Sequence, residues 1–314
     1  MTMVKPPALT PGDRVAVLAP ASPFSREEFG EGLAELKTIG FEPVYDDRVF
    51  ERDGYVAGSA ETRAAAFTDA WTDPSVRAVL TARGGYGSAQ ILPYLSRDTL
   101  RATPKLLVGY SDITALLSFV TTRCGIVAVH GPTVTGRFAR GVEGYDRPSF
   151  LRTMCEAEPL GELMSPALET MRAGEAEGML VGGNLTQLAA TLGTPFAFRP
   201  PDRCVLFLED VNERPYRLDR LLTQLSHAGV LSRAAALVFG EMPGCDEPDS
   251  VLSAKDAIAK CVRDFSGPVL VGLASGHTLH PALTLPLGVR ARVLGGARPA
   301  LIITETAVSP RSGL

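Results

Sequence analysis

Leu106-Leu107-Val108-Gly109-Tyr110-Ser111-Asp112-Ile113-Thr114 is the stretch on which the fold turns. The run 106–108 has the composition of a buried strand, and residues 113–120, with Leu116, Leu117 and Phe119 at helical spacing, read as a helix opening directly after it. The same alternation extends outward in both directions. Upstream, an apolar run at 14–20 precedes a helix at 26–39 with Phe29, Leu33, Leu36 and Ile39 on one face. A strand at 41–45, a helix at 61–71, a strand at 76–81 and a helix at 88–95 follow, and 126–129 adds a strand downstream. Strands alternating with helices predict a mostly parallel sheet covered on both faces, with ligands bound where strand C-termini meet loops.

Beyond residue 140 the pattern weakens, and 146–176 reads as a linker between an N-terminal α/β domain, 1–145, and a second domain, 177–314. Periodicity returns with a strand at 178–181, a Gly182-Gly183-Asn184 turn and a helix at 185–192. Strands at 204–208, 235–239, 269–273, 289–294 and 301–303, with helices at 214–231 and 253–265, complete a smaller mixed α/β domain. A chain of 314 residues is long enough for two such domains.

Composition narrows the function classes. Hydrophobic residues at 45% and charged residues at 21% describe an ordinary globular chain. A net charge of −4 supplies no bulk attraction to nucleic acid or to an anionic membrane, so small-molecule partners are expected. No segment approaches the roughly 20 apolar residues of a membrane span, and the N-terminus lacks a signal-peptide pattern, so a cytoplasmic protein is expected. Cys124, Cys155, Cys204, Cys245 and Cys261 are odd in number and form no Cys-x-x-Cys pair, which predicts neither a zinc site nor a disulfide framework.

Ser111 has two readings at this stage. It is an N-cap of the helix that follows, or a hydroxyl exposed at a strand-to-helix turn with free helix N–H groups beside it. The second is the idea of the nucleophile elbow, although Ile113 stands where Gly-x-Ser-x-Gly has its second glycine. Glu209 ends an apolar strand and is therefore exposed or paired. It either meets a base such as His277, which follows a strand among small neighbours, or it and Asp210 cap the next helix or meet Arg214 or Arg217. His130 lines a site or is structural, His227 is solvated on its helix, and His280 has no evident role. Gly84 and Gly85 form a plain turn, cradle a phosphate, or present N–H groups to an oxyanion with the N–H of Asp112 as second donor. The phosphate reading would make the chain a non-catalytic nucleotide-binding module, and the missing Lys-Ser/Thr of a P-loop argues against it.

Taken together, several segments resemble the LD-carboxypeptidase family of serine peptidases, which includes the microcin-immunity hydrolases. They are Leu9-Thr10-Pro11-Gly12-Asp13, Ala19-Pro20-Ala21-Ser22, Arg83-Gly84-Gly85-Tyr86-Gly87, Gly109-Tyr110-Ser111-Asp112 and His130-Gly131-Pro132. Gly182-Gly183-Asn184-Leu185, Leu208-Glu209-Asp210-Val211, Pro215-Tyr216-Arg217 and Gly276-His277 continue the match. The resemblance implies a flavodoxin-like or glutaminase-like N-terminal domain and a catalytic triad of Ser111, Glu209 and His277. It implies release of a C-terminal D-amino acid, typically D-alanine, from a murein tetrapeptide in cytoplasmic cell-wall recycling, without metal or organic cofactor. Its microcin-immunity branch implies instead hydrolysis of peptidyl or aminoacyl nucleotide antibiotics. Arg83 and Tyr86 are candidates for substrate contact, Arg83 because a terminal carboxylate wants a guanidinium. Members of the family are often dimers, which makes a homodimer an expectation here.

Overall fold

The first five strands are β1 (Arg14–Leu18), β2 (Glu42–Val44), β3 (Val76–Thr81), β4 (Leu106–Gly109) and β5 (Ala128–His130), seen in a computed structural model that describes residues 2–248 and 252–311. They run parallel in the order β2-β1-β3-β4-β5. All four residues of β4 are buried, as expected of a strand covered on both faces. Helices α1 (Arg26–Thr38), α2 (Ala60–Thr72), α3 (Arg97–Ala102) and α4 (Thr114–Ser118) connect them. Ser25 and Ser59 cap α1 and α2 by accepting backbone N–H bonds from Glu28 and Thr62. The helix expected over 88–95 is a 3-10 segment, Ser88–Tyr94, because Pro93 lies inside it and can donate no hydrogen bond.

After α5 (Arg147–Cys155) come β6 (Gly161–Leu163), β7 (Glu169–Arg172), β8 (Gly174–Asn184), α6 (Leu185–Ala190) and β9 (Cys204–Glu209). Then follow α7 (Pro215–His227), β10 (Ala234–Gly240), α8 (Ala254–Cys261), β11 (Val269–Leu273), β12 (Leu285–Leu287), β13 (Arg290–Gly295) and β14 (Ala300–Ile303). The second sheet has the order β6-β14-β13-β8-β9-β10-β11-β7, with β8 to β11 parallel at its centre and antiparallel strands outside. The segment read as a linker therefore holds a helix, the two outermost strands of this sheet and the first residues of β8.

One strand crosses over. β12 pairs antiparallel with β5 and becomes an edge of the first sheet, where Pro286 is tolerated. The two sheets thus share chain as well as contacts. Asn184 N donates to Thr114 Oγ1 at 3.0 Å, joining the end of β8 to the start of α4. Gly183 permits that approach, since an added Cβ would lie 2.7 Å from the same oxygen. No helix among the described residues is long and apolar enough to cross a membrane.

Candidate active site

The carboxyl ends of the central strands of both sheets meet at this junction. Ser111 follows β4 with φ at +64°, a left-handed conformation that costs a non-glycine residue energy and occurs where surrounding structure enforces it. Gly109 makes the turn tight enough: a Cβ there would lie 2.5 Å from Thr81 Oγ1 and 2.8 Å from Ile113 Cγ2. Ile113, in the place of the elbow's second glycine, is fully buried against that gap. Ser111 is no N-cap, because its side chain bonds none of the described residues.

The loop after β3 lies over the serine. An added Cβ on Gly84 would sit 2.9 Å from Ser111 Cβ, 3.1 Å from its Oγ and 3.3 Å from Asp112 N, so only glycine leaves space for a ligand atom between these groups. The Asp112 carboxylate accepts from Ser88 N at 2.7 Å, and Ser88 Oγ donates to Asp112 O at 2.5 Å, fixing the loop to the serine turn. Burial raises the Asp112 carboxyl above the usual range despite the Ser88 bonds. Gly85, at φ +95°, faces Ser22 instead, and Ser22 Oγ accepts from Tyr86 N at 3.0 Å. Arg63 is buried and ties the loops after β1 and β3 through Pro20 O and Gly87 O, at 2.6 and 2.7 Å.

Arg83 and Tyr86 are exposed on the same loop. Arg83 donates to Pro23 O at 3.2 Å, and the Tyr86 ring meets Tyr55 edge-on with centroids 5.4 Å apart.

From the second sheet, Glu209 ends β9 fully buried and is paired. Its Oε2 accepts from His277 N at 2.9 Å and lies 2.7 Å from His277 Nδ1. Burial pushes the Glu209 carboxyl up, and the His277 charge and hydrogen bonds overcome it, leaving it below the usual range. Burial lowers the His277 pKa, and the Glu209 carboxylate outweighs it, holding the imidazole above its ordinary 6.5. Gly276 makes the contact possible, because a Cβ there would lie 2.7 Å from Glu209 Cδ. The His277 ring meets Tyr110, the neighbour of Ser111, edge-on at 5.1 Å. Tyr110 thus links the Ser111 turn to His277, with no hydrogen bond between Ser111 and His277 themselves.

Asp210 does not cap the helix that follows it. Its carboxylate accepts from Asn184 Nδ2 at 3.2 Å and from Thr186 N and Oγ1 at 2.9 and 2.8 Å, so it serves the start of α6. Arg214 and Arg217 pair with Glu247 and Glu213, not with Glu209. His130 is fully buried, its Nε2 3.9 Å from Glu209 Oε1, and burial drives its pKa down to about 4. His227 is exposed, and His280 has a partner, Glu241 Oε1 at 2.5 Å from its Nδ1. Sequence reasoning assigned no role to Thr114, Ser22 and Ser88, whose side-chain oxygens bond backbone atoms of neighbouring segments and carry no periodic signal.

The N-terminal domain description of the LD-carboxypeptidase family matches residues 15–131, and its C-terminal domain description matches 177–293. A probable murein peptide carboxypeptidase of Bacillus subtilis is 34% identical over 302 residues, covering 95% of this chain and 94% of its own. The microcin C7 self-immunity protein of Escherichia coli is 26% identical over 299 residues, covering 87% of each chain. The crystal structure of muramoyltetrapeptide carboxypeptidase from Oxalobacter formigenes superposes with a TM-score of 0.81 at 30% identity, covering 95% of this chain and 100% of that one.

Proposed function

The chain belongs to the LD-carboxypeptidase family, and from that premise we propose that it is a serine carboxypeptidase releasing a C-terminal D-amino acid, D-alanine, from murein tetrapeptides in the cytoplasm. The observation that carries this reading is the buried Glu209 bonded to His277 Nδ1 at 2.7 Å beside the strained turn of Ser111. Ser111 Oγ attacks the carbonyl carbon of the L,D-amide while His277 Nε2 takes the hydroxyl proton. Glu209 fixes the ring with its proton on Nδ1 and stabilises the imidazolium. The N–H groups of Asp112 and of Gly84 or Gly85 receive the oxyanion.

Collapse of the tetrahedral adduct breaks the C–N bond, and the imidazolium protonates the departing amine. Water then attacks the acyl-serine, giving its proton to His277, which returns it to Ser111 Oγ as the peptide acid leaves. Arg83, exposed on the loop that lies over Ser111 and with most of its guanidinium donors uncommitted, is the proposed partner of the substrate's terminal carboxylate.

Incubating the purified protein with a murein tetrapeptide and, separately, with an aminoacyl-sulfamoyl adenosine tests the assignment. Release of D-alanine from the first is expected. Turnover of the second alone would move the chain to the chemistry for which the self-immunity relative is named.

A further inference from the structure

Two buried arginines near the Ser111–His277 junction, Arg63 and Arg137, have no carboxylate bonded to them, and of the two it is Arg137 that reaches the backbone on both sides of His277. Arg137, 6% exposed, lies on the loop after β5, and its guanidinium donates only to backbone carbonyls: Gly144 O at 3.1 Å, Gly276 O at 2.6 Å and Thr278 O at 3.2 Å. The last two flank His277. A cation is expensive to bury, and carbonyl dipoles compensate it only when they are held at the right places. The planar fork of arginine spans two such carbonyls in a way that the single ammonium of lysine does not reproduce.

The contact crosses the domain junction, because the loop after β5 belongs to the serine's sheet and the 276–278 backbone follows β11 of the other. The guanidinium also lies over the Tyr110 ring, 5.7 Å from its centroid, and that ring is the one His277 meets edge-on. Behind it, α1 braces the loop: Gly32 packs so closely that a Cβ would lie 2.2 Å from Val134 O. On its far side the His277 loop is held within its own domain, where Glu241 Oε2 accepts from Thr278 Oγ1 at 2.5 Å and Leu279 N at 2.9 Å.

We propose that Arg137 is a positioning residue for His277, gripping the backbone on both sides of the imidazole and holding it against the domain that carries Ser111. The proposal rests on the serine-peptidase reading for its consequence in turnover, and on geometry alone for the grip. The charged and titratable groups acting on His277 are Glu209 and Asp210, which favour its protonated form, and Arg137, which opposes it, with neutral His130 behind Glu209. Removing the guanidinium therefore raises the His277 pKa, an effect that a merely structural role would not produce.

The test is a histidine NMR titration of the full-length protein, with His277 assigned through His277→Gln, run beside the rate of fluorophosphonate labelling of Ser111 at a pH above the His277 midpoint. In Arg137→Met the midpoint is expected to move up, and labelling to slow roughly tenfold or more, as misplacement by an ångström does. In Arg137→Lys, which keeps the charge and is the variant to use if the methionine protein does not fold, the midpoint stays close to wild type while labelling still slows. Wild-type labelling in both variants overturns the proposal, and so does slowing that only tracks a lowered Tm with an unmoved midpoint in Arg137→Met. If the wild-type protein takes no label, the serine-peptidase reading fails, and the titration still decides whether Arg137 acts on His277.

Discussion

The carboxyl edge of the first sheet and that of the second contribute to the cleft by different physics. At the first edge the features are mostly backbone: a serine at positive φ, a glycine pressed onto it, and a 2.7 Å bond from Ser88 N to the buried Asp112 carboxylate that pins the loop. At the second edge they are made of buried charge, with a carboxylate of zero exposure held to the His277 imidazole at 2.7 Å and the neutral His130 ring 3.9 Å away without a hydrogen bond to it. Strain and close approach fix positions without titrating. A buried ion pair supplies a pH-dependent base and must be assembled from distant parts of the chain. In the proposed reaction the first edge would face the substrate carbonyl and the second would handle the proton.

The sharpest way to break that division is to remove one partner from each edge. Ser111→Ala and His277→Ala should each lower tetrapeptide turnover on the order of thousands-fold or more, since neither edge acts alone. Steady-state release of D-alanine measures it, and near-normal rates in either variant would dissolve the pairing. Glu209→Gln tests the charge itself. It should cost on the order of hundreds-fold in kcat and change the pH profile. His277 must be unprotonated to act, and its pKa is held above 6.5, so the wild-type acid limb of kcat/KM lies above pH 6.5. Loss of the carboxylate lets burial dominate and moves that limb to lower pH.

Gly84→Ala probes the backbone edge. A methyl 3.1 Å from Ser111 Oγ occupies the space of the oxyanion, and an effect on the order of a hundredfold on kcat is expected with the acid limb unmoved. A shifted limb would show that the two edges are not separate. Asn184→Ala is the mildest change. It removes the cap of α6 and the side-chain bond to Asp210 while leaving the Thr114 contact, which is made by backbone, and should cost about 1–2 kcal/mol in chemical denaturation.

The two edges also differ in how far they can be read from residues alone. The strand-to-helix turn at Ser111 and the glycines after β3 are local, so apolar runs and small residues reveal them. The partnership of Glu209 with His277 depends on β9 and β11 flanking β10, and spacing left it level with a capping role; the family resemblance, not periodicity, favoured it. Segment 146–176 escaped for a related reason. β6 and β7 are three and four residues long and pair with β14 and β11, far along the chain, so no local alternation marks them. β12 contains a proline and joins the other domain's sheet, which no local rule anticipates. Nothing in the local sequence marks Arg137, and only its carbonyl partners distinguish it.

Intact-mass analysis with peptide mapping after fluorophosphonate treatment asks most directly whether a serine of one domain is activated by the charge pair of the other. The expected result is one adduct on Ser111 in the wild-type protein, absent in Ser111→Ala and formed on the order of a thousandfold more slowly in His277→Ala. An adduct on another residue, or undiminished labelling of Ser111 without His277, would contradict it.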